Sequence, residues 1–242
     1  MGIILKMKIK GPVYILGDTH DVAATEKALM YADLTNCTVI HVGDAGITNR
    51  FITHRAKYLD EFLKVRNIRL KIVRGNHDCP EHFPHRFSDH LDLLDDYAHL
   101  DIVDASASLL CVGGSVSIDR CLRVDGADYW QGEPTRPIPD DLSDSYDMII
   151  AHDCPSWINK STQSLKSSFP KFCTVDPTIL DDCNKQRCLM DEIFAKVKPS
   201  QWYYGHYHND MYEVDRDCHF KCLNMNVVHR LKPSRGVGDI NS

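Results

Sequence analysis

The hydrophobic positions of the first third of the chain follow two different periods. Apolar runs at 13–16, 38–42 and 69–73 have the length and composition of buried strands, while 22–32 and 51–65 repeat apolar residues at amphipathic-helix spacing. This predicts a βαβαβ start, with helices packed on a parallel sheet. The pattern then changes. The segments 101–104, 108–112 and 116–118 read as closely spaced strands, with Gly113 and Gly114 as a turn or bulge, and suggest a sheet edge or a second sheet. A polar connection over 125–144, carrying Pro134, Pro137 and Pro139, is expected on the surface as a candidate border of the active site. Strands follow at 148–151, 201–204, 211–214 and 220–223, and a helix over 178–197 stops before Pro199. With no repeat or linker in view, 1–242 is expected to be a single domain, with 226–242 a C-terminal tail.

Each strand of the alternating regions runs into polar, metal-capable residues. These are Gly17-Asp18-Thr19-His20, Gly43-Asp44, Gly75-Asn76-His77-Asp78, Ala151-His152-Asp153 and Gly205-His206-Tyr207-His208. Taken singly, each has an ordinary explanation: Asp18 or Asp78 as a helix cap, Gly-Asn as a turn, His152 as a hydrogen-bonded core histidine. Five together point elsewhere, because the carboxyl ends of strands in an open α/β sheet converge on one ligand crevice. Carboxylate, amide and imidazole donors suit a pair of divalent cations about 3.5–4 Å apart with one bridging carboxylate. Glycines before Asp18, Asp44, Asn76 and His206 permit the tight turns that would aim these side chains into one cleft.

Composition narrows the partners. A formal charge of −6 over 242 residues argues against a chain that coats nucleic acid backbone, though a local basic site stays open. Thirteen histidines suit metal binding or proton transfer. The opening apolar run ends at Lys6, too soon for a signal peptide, and no stretch reaches membrane-spanning length. The ten cysteines are therefore expected as thiols in the cytoplasm, with no membrane association. Cys79 and Cys154, next to motif residues, are expected as packing residues.

In this order, DTH, GD, GNHD, H and GHYH resemble the calcineurin-like metallophosphoesterase superfamily, over about 13–208. The resemblance implies an α/β fold in which a two-sheet β-sandwich is flanked by helices and holds two divalent metal ions. Manganese is the first choice, with iron, zinc, nickel or cobalt as alternatives. It implies that Asp18, His20, Asp44 and His208 surround one ion, and Asp44, Asn76, His152 and His206 the other, with Asp44 bridging. His77 would then be the histidine that stabilises phosphoryl charge or protonates the leaving oxygen, and Arg74 is a candidate for orienting phosphate oxygens.

One departure stands out. The family's second motif commonly has a further Asp, which supports the catalytic histidine, where this chain has Ile47. Asp78 or Asp153 are candidate replacements. The same departure weakens a Ser/Thr protein-phosphatase reading, since GDAGITNR and RGNHD stand where those enzymes have GDxVDRG and RGNHE. The segment from Gly113 to Arg120 resembles a stretch in small bacterial and phage-type members, with Arg120 and Arg123 as candidate substrate contacts.

The expected activity is hydrolysis of a phosphomonoester, phosphodiester or phosphoanhydride in a small molecule or phosphoprotein. The alternatives are a nuclease acting on nucleic acid ends, which this acidic chain does not favour, and a non-catalytic scaffold. The full ligand set argues against the scaffold, and Ile47 is its one encouragement.

Overall fold

The computed structural model describes residues 6–143, 145–158 and 163–232. Among the described residues, thirteen strands form two mixed sheets in a single α/β domain. They are β1 (Lys6–Ile9), β2 (Val13–Leu16), β3 (Cys37–His41), β4 (Ile68–Ile72), β5 (His85–Arg86), β6 (Leu91–Leu93), β7 (Ala98–Ile102), β8 (Ala107–Val112), β9 (Met148–Ala151), β10 (Gln201–Tyr204), β11 (Met211–Asp215), β12 (Cys218–Cys222) and β13 (Val228–Arg230). The order is β1-β7-β8-β9-β10-β12-β11 in one sheet and β13-β2-β3-β4-β6-β5 in the other. Within them β2, β3 and β4 are mutually parallel, as are β8, β9 and β10.

Strand alternation builds the layers. Successive residues point to opposite faces of a strand. Ile15, Ile40, Leu109, Ile150 and Tyr203 thus meet in a core shared by both sheets. Their neighbours Leu16 and Val39 face the opposite side, packing with Leu29 of helix α1 (Val22–Tyr31) and Leu59 and Leu63 of α2 (Ala56–Arg66). On the other sheet Leu110, Ile149, Trp202 and Tyr204 pack with Met190 and Ile193 of α4 (Ile179–Val197), which follows α3 (Gln163–Val175). The result is the expected two-sheet sandwich flanked by helices.

The helices stop where the sequence forces them to. Asn67 closes α2 and Lys198 closes α4 in the left-handed conformation, at φ 51° and φ 49°, and Pro199 cannot continue the helix.

Several expectations change. The stretch 116–118 is not a strand: Val116 is buried, but Ser117 is held by side-chain hydrogen bonds rather than by a ladder. The strand expected at 101–104 ends at Ile102, and Val103–Ala105 form a 3₁₀ turn. The helix expected from 51 opens with a π turn at Phe51–Arg55. The expected tail 226–242 begins with structure, because Val228–Arg230 pair antiparallel with β2; its residues 233–242 lie outside the described ones.

Candidate metal centre

The ends of β2, β3 and β4 from one sheet, and of β9 and β10 from the other, release their motif residues at the same edge of the sandwich. There Asp18, His20, Asp44 and His208 gather with one ligand atom each, all within 4.8 Å of one another. The Nε2 atoms of His20 and His208 face each other at 2.8 Å, and His208 Nε2 lies 3.3 Å from Asp18 Oδ2. A second group adjoins the first. Asn76 Oδ1 is 2.9 Å from both His152 Nε2 and His206 Nδ1, and His152 Nε2 is 3.4 Å from Asp44 Oδ1. Asp44 belongs to both groups, since its other oxygen, Oδ2, lies 3.8 Å from His20 Nδ1.

The backbone is bent to make this possible. His20, Asp44, His206 and His208 all sit at positive φ, 55°, 56°, 67° and 49°, a region that costs an L-residue on the order of 1 kcal/mol or more and that persists only where the surroundings enforce it. The turns also need glycine. A Cβ on Gly75 would stand 2.1 Å from the Asp44 nitrogen and Oδ1, and one on Gly205 would stand 2.0 Å from Asp18 Oδ1.

Further contacts orient the donors. His152 Nδ1 lies 3.0 Å from the Val42 carbonyl and donates to it, which leaves Nε2 facing the centre. The Asn76 amide nitrogen donates to Ser117 Oγ at 2.8 Å, which turns its oxygen inward. Ser117 is held in turn by buried Glu133, which accepts from its hydroxyl at 2.7 Å and its backbone N–H at 2.6 Å. Ser115 Oγ donates to Asp153 Oδ2 at 2.8 Å and lies 3.3 Å from His206 Nε2. The segment from Gly113 to Arg120 therefore supplies serines that support the ligands, a role its sequence did not disclose.

The carboxylates and imidazoles of the site shift one another. Burial pushes the Asp44 carboxyl up, but the facing His152, His77 and His20 outweigh it and hold it well below the usual carboxylate range. Burial lowers His152, yet Asp44 and Asp18 raise it to about 10. His206 is brought down to about 4, chiefly by burial. His208 is raised, first by its hydrogen bond to Asp18.

A pair of divalent cations fits these residues. Buried Asp18 Oδ1 has no hydrogen-bond partner among the described residues, and a cation would satisfy it. Imidazole and carboxylate donors suit first-row divalent ions, and the facing His20 and His208 nitrogens are the kind of lone-pair concentration that a cation relieves.

Two expectations need correction. Arg74 is fully buried and directed away from the centre: its five N–H groups meet Asp96 Oδ1 and Oδ2 and the carbonyls of Gly132, Glu133 and Pro134, so no donor is left for substrate. Asp78 does not support His77. Its carboxylate accepts the backbone N–H groups of Ala45, Ile47 and Gly75, clamping the two loops that carry Asp44 and Asn76, while the Ile47 side chain joins the apolar core. Asp153 does not reach His77 either, being held by Ser115, Tyr207 and the Cys154 N–H. What stands beside the His77 ring is Arg123, with Nη1 at 2.6 Å from Nδ1 and Nη2 at 3.0 Å from Nε2. The other named arginine, Arg120, is held by Asp176, Asp182 and Thr178. Cys79 and Cys154 are buried, and burial raises both thiols, as suits packing residues.

Residues 12–125 match the family model of the calcineurin-like phosphoesterase superfamily domain, a span that holds Asp18, His20, Asp44, Asn76 and His77. No curated protein matches the chain. Among solved structures, a protein of unknown function from Aquifex aeolicus is 13% identical over 92% of this chain and 96% of its own, with a TM-score of 0.41. Over residues 12–125, a little under half of its 242 residues, the chain is similar to the calcineurin-like phosphoesterase superfamily domain.

Proposed function

We propose that the chain is a dimetal phosphoesterase that hydrolyses a phosphomonoester, phosphodiester or phosphoanhydride bond in a small molecule or phosphoprotein. The observation that carries this reading is Asp44, whose two carboxylate oxygens address two separate donor groups, 3.8 Å from His20 and 3.4 Å from His152. Asp18, His20, Asp44 and His208 would hold one ion, and Asp44, Asn76, His152 and His206 the other. Two divalent cations, manganese foremost, would polarise phosphoryl oxygens and lower the pKa of a water for in-line attack on phosphorus.

The chain's own residues do the rest. His77 is anchored by its backbone N–H to Asp44 Oδ1 at 2.8 Å, with its ring Nε2 3.8 Å from Asp44 Oδ2. From there it stabilises charge on the phosphoryl group or delivers a proton to the leaving oxygen. Val42, Ser115, Ser117 and Glu133 fix the ligand rings and the Asn76 amide before substrate arrives. No helix among the described residues is long and apolar enough to cross a membrane. The ten free cysteines suit the reducing cytoplasm.

The test is turnover of p-nitrophenyl phosphate and bis-p-nitrophenyl phosphate by metal-stripped protein with Mn²⁺ restored. Turnover should appear only with metal, vanish in Asp44→Asn and fall roughly 10²- to 10⁴-fold in His77→Ala, the usual span of a general acid or base. Metal-independent turnover, or full activity in Asp44→Asn, overturns the reading.

A further inference from the structure

A cation stands against the His77 ring. Ile47 supplies no carboxylate to it, and the guanidinium of Arg123 lies across the imidazole, close to both ring nitrogens. Arg123 is not a wandering surface side chain. Asp119, one helical turn earlier, braces it with two parallel hydrogen bonds, Nε to Oδ1 at 2.7 Å and Nη2 to Oδ2 at 2.8 Å, and the Asp128 carbonyl lies 3.3 Å from Nη1. The fork is thus set in orientation before any substrate arrives.

That arrangement leaves hydrogen-bonding capacity over. A guanidinium offers five donors, and a neutral imidazole offers one lone pair. The two contacts to His77 therefore amount to one hydrogen bond at most, so that, with two to Asp119 and one to Asp128, one of the N–H groups facing the ring has no acceptor there. The arginine also adjoins the centre through His77: Asp44 Oδ2 lies 3.8 Å from His77 Nε2, and Arg123 stands against the same ring. Its side chain retains 15% exposure, which leaves it reachable from solvent, unlike the fully buried Arg74.

We propose that Arg123, braced by Asp119, binds the anionic leaving group of the substrate, so that this site favours phosphoanhydrides over phosphomonoesters of alcohols. The inference rests on the phosphoesterase reading above. A phosphoryl group seated between the donor groups and His77 points its departing part outward, where a fixed positive charge meets it. An alkyl alcohol leaving group brings no charge of its own to that cation. The departing phosphate of an anhydride does, and the planar fork matches its oxygens. Hydrolysis balances simply: water adds its oxygen to the attacked phosphorus, the P–O–P bridge breaks, and the bridging oxygen leaves with the second phosphate as an anion.

ADP and AMP separate the leaving groups, since they share one nucleoside and differ in whether the bond broken joins phosphorus to phosphate or to a sugar alcohol. The Mn²⁺-loaded protein should hydrolyse ADP with the higher kcat/KM. Arg123→Ala should lower the ADP/AMP ratio of kcat/KM roughly 10- to 100-fold, the span of one charge-assisted contact, and Arg123→Lys should restore part of it. A ratio is insensitive to any fraction of a variant that fails to fold. Calorimetric binding of α,β-methylene-ADP to the same proteins gives the second readout, expected to weaken roughly 10-fold or more in Arg123→Ala. An unchanged ratio, equal preference for AMP in the wild type, or equal analogue binding in both proteins overturns the inference. Hydrolysis of p-nitrophenyl phosphate without ADP overturns it while leaving the phosphoesterase reading intact. Analogue binding that needs Arg123, with no hydrolysis of any ester, supports the contact and overturns the phosphoesterase reading instead.

Discussion

The side-chain amide of Asn76 donates to Ser117 Oγ at 2.8 Å, and this bond decides which end of the amide faces the candidate metal centre. With the nitrogen taken by Ser117, the oxygen is the atom left 2.9 Å from His152 and from His206. An amide turned the other way would present N–H groups to a cation. Ser117→Ala should therefore weaken binding of the second Mn²⁺ by roughly 10- to 100-fold, the usual effect of losing such a support, with the first ion retained. Titration calorimetry on metal-stripped protein checks this.

Arg74 should matter for folding and not for substrate. Its guanidinium is buried against Asp96 and three carbonyls, so Arg74→Ala leaves the buried carboxylate with only the longer Arg136 contact, at 3.5 Å, and orphans the carbonyl acceptors. The expected loss is about 3–5 kcal/mol in urea unfolding, with KM for p-nitrophenyl phosphate unchanged in the folded fraction. A variant that keeps its stability and loses substrate affinity would return Arg74 to the site.

Asp78 should be a folding residue as well. It gathers three backbone N–H groups from the loops of Asp44 and Asn76. Asp78→Ala strands those donors at about 1–3 kcal/mol each before relaxation. Denaturant unfolding of the metal-free protein should show a drop of several kcal/mol.

Glu133 gives a signed dependence on pH. Burial raises its carboxyl from 4.5 to about 7 despite the two bonds from Ser117. The folded state therefore holds this proton more tightly than the unfolded chain. The contribution is complete below pH 4.5 and is lost as pH rises through about 7, a change of roughly 3 kcal/mol. Urea unfolding at pH 5 and pH 8 should show wild type losing more stability with rising pH than Glu133→Gln, whose side chain does not titrate. An equal slope in the two proteins contradicts the assignment.

The glycine turns are the most intolerant positions. A methyl group on Gly75 would stand 2.1 Å from Asp44 and displace the residue shared by both donor groups. Gly75→Ala should abolish Mn²⁺-dependent turnover even in protein that still melts cooperatively, as followed by circular dichroism.

Sequence made the donors legible because each follows a buried strand, and parallel strands bring their ends together without further information. Asp18, Asp44, Asn76, His152 and His206 all have this origin. The supports were not legible for the same reason in reverse. Ser115, Ser117, Arg123 and Glu133 sit on irregular chain, where no period reports direction, and Ser117 meets Asn76 across 41 positions. Val116, Ser117 and Ile118 alternate like a strand, yet side-chain bonds to Glu133 replace the ladder. Arg74 misled through adjacency. It stands two residues before Asn76, but its guanidinium is claimed by Asp96 and the 132–134 carbonyls on the far side of the loop. Helix α3 was not visible in the pattern because Pro170 lies inside it.

The measurement that bears most directly on the central claim is the number of Mn²⁺ ions held per chain, by calorimetry and by elemental analysis after gel filtration, in wild type and in Asp44→Asn. Because Asp44 addresses both donor groups, the account expects two ions in the wild type and loss of tight binding at both positions in the variant. A single ion in the wild type, or two ions still bound tightly in Asp44→Asn, would contradict it.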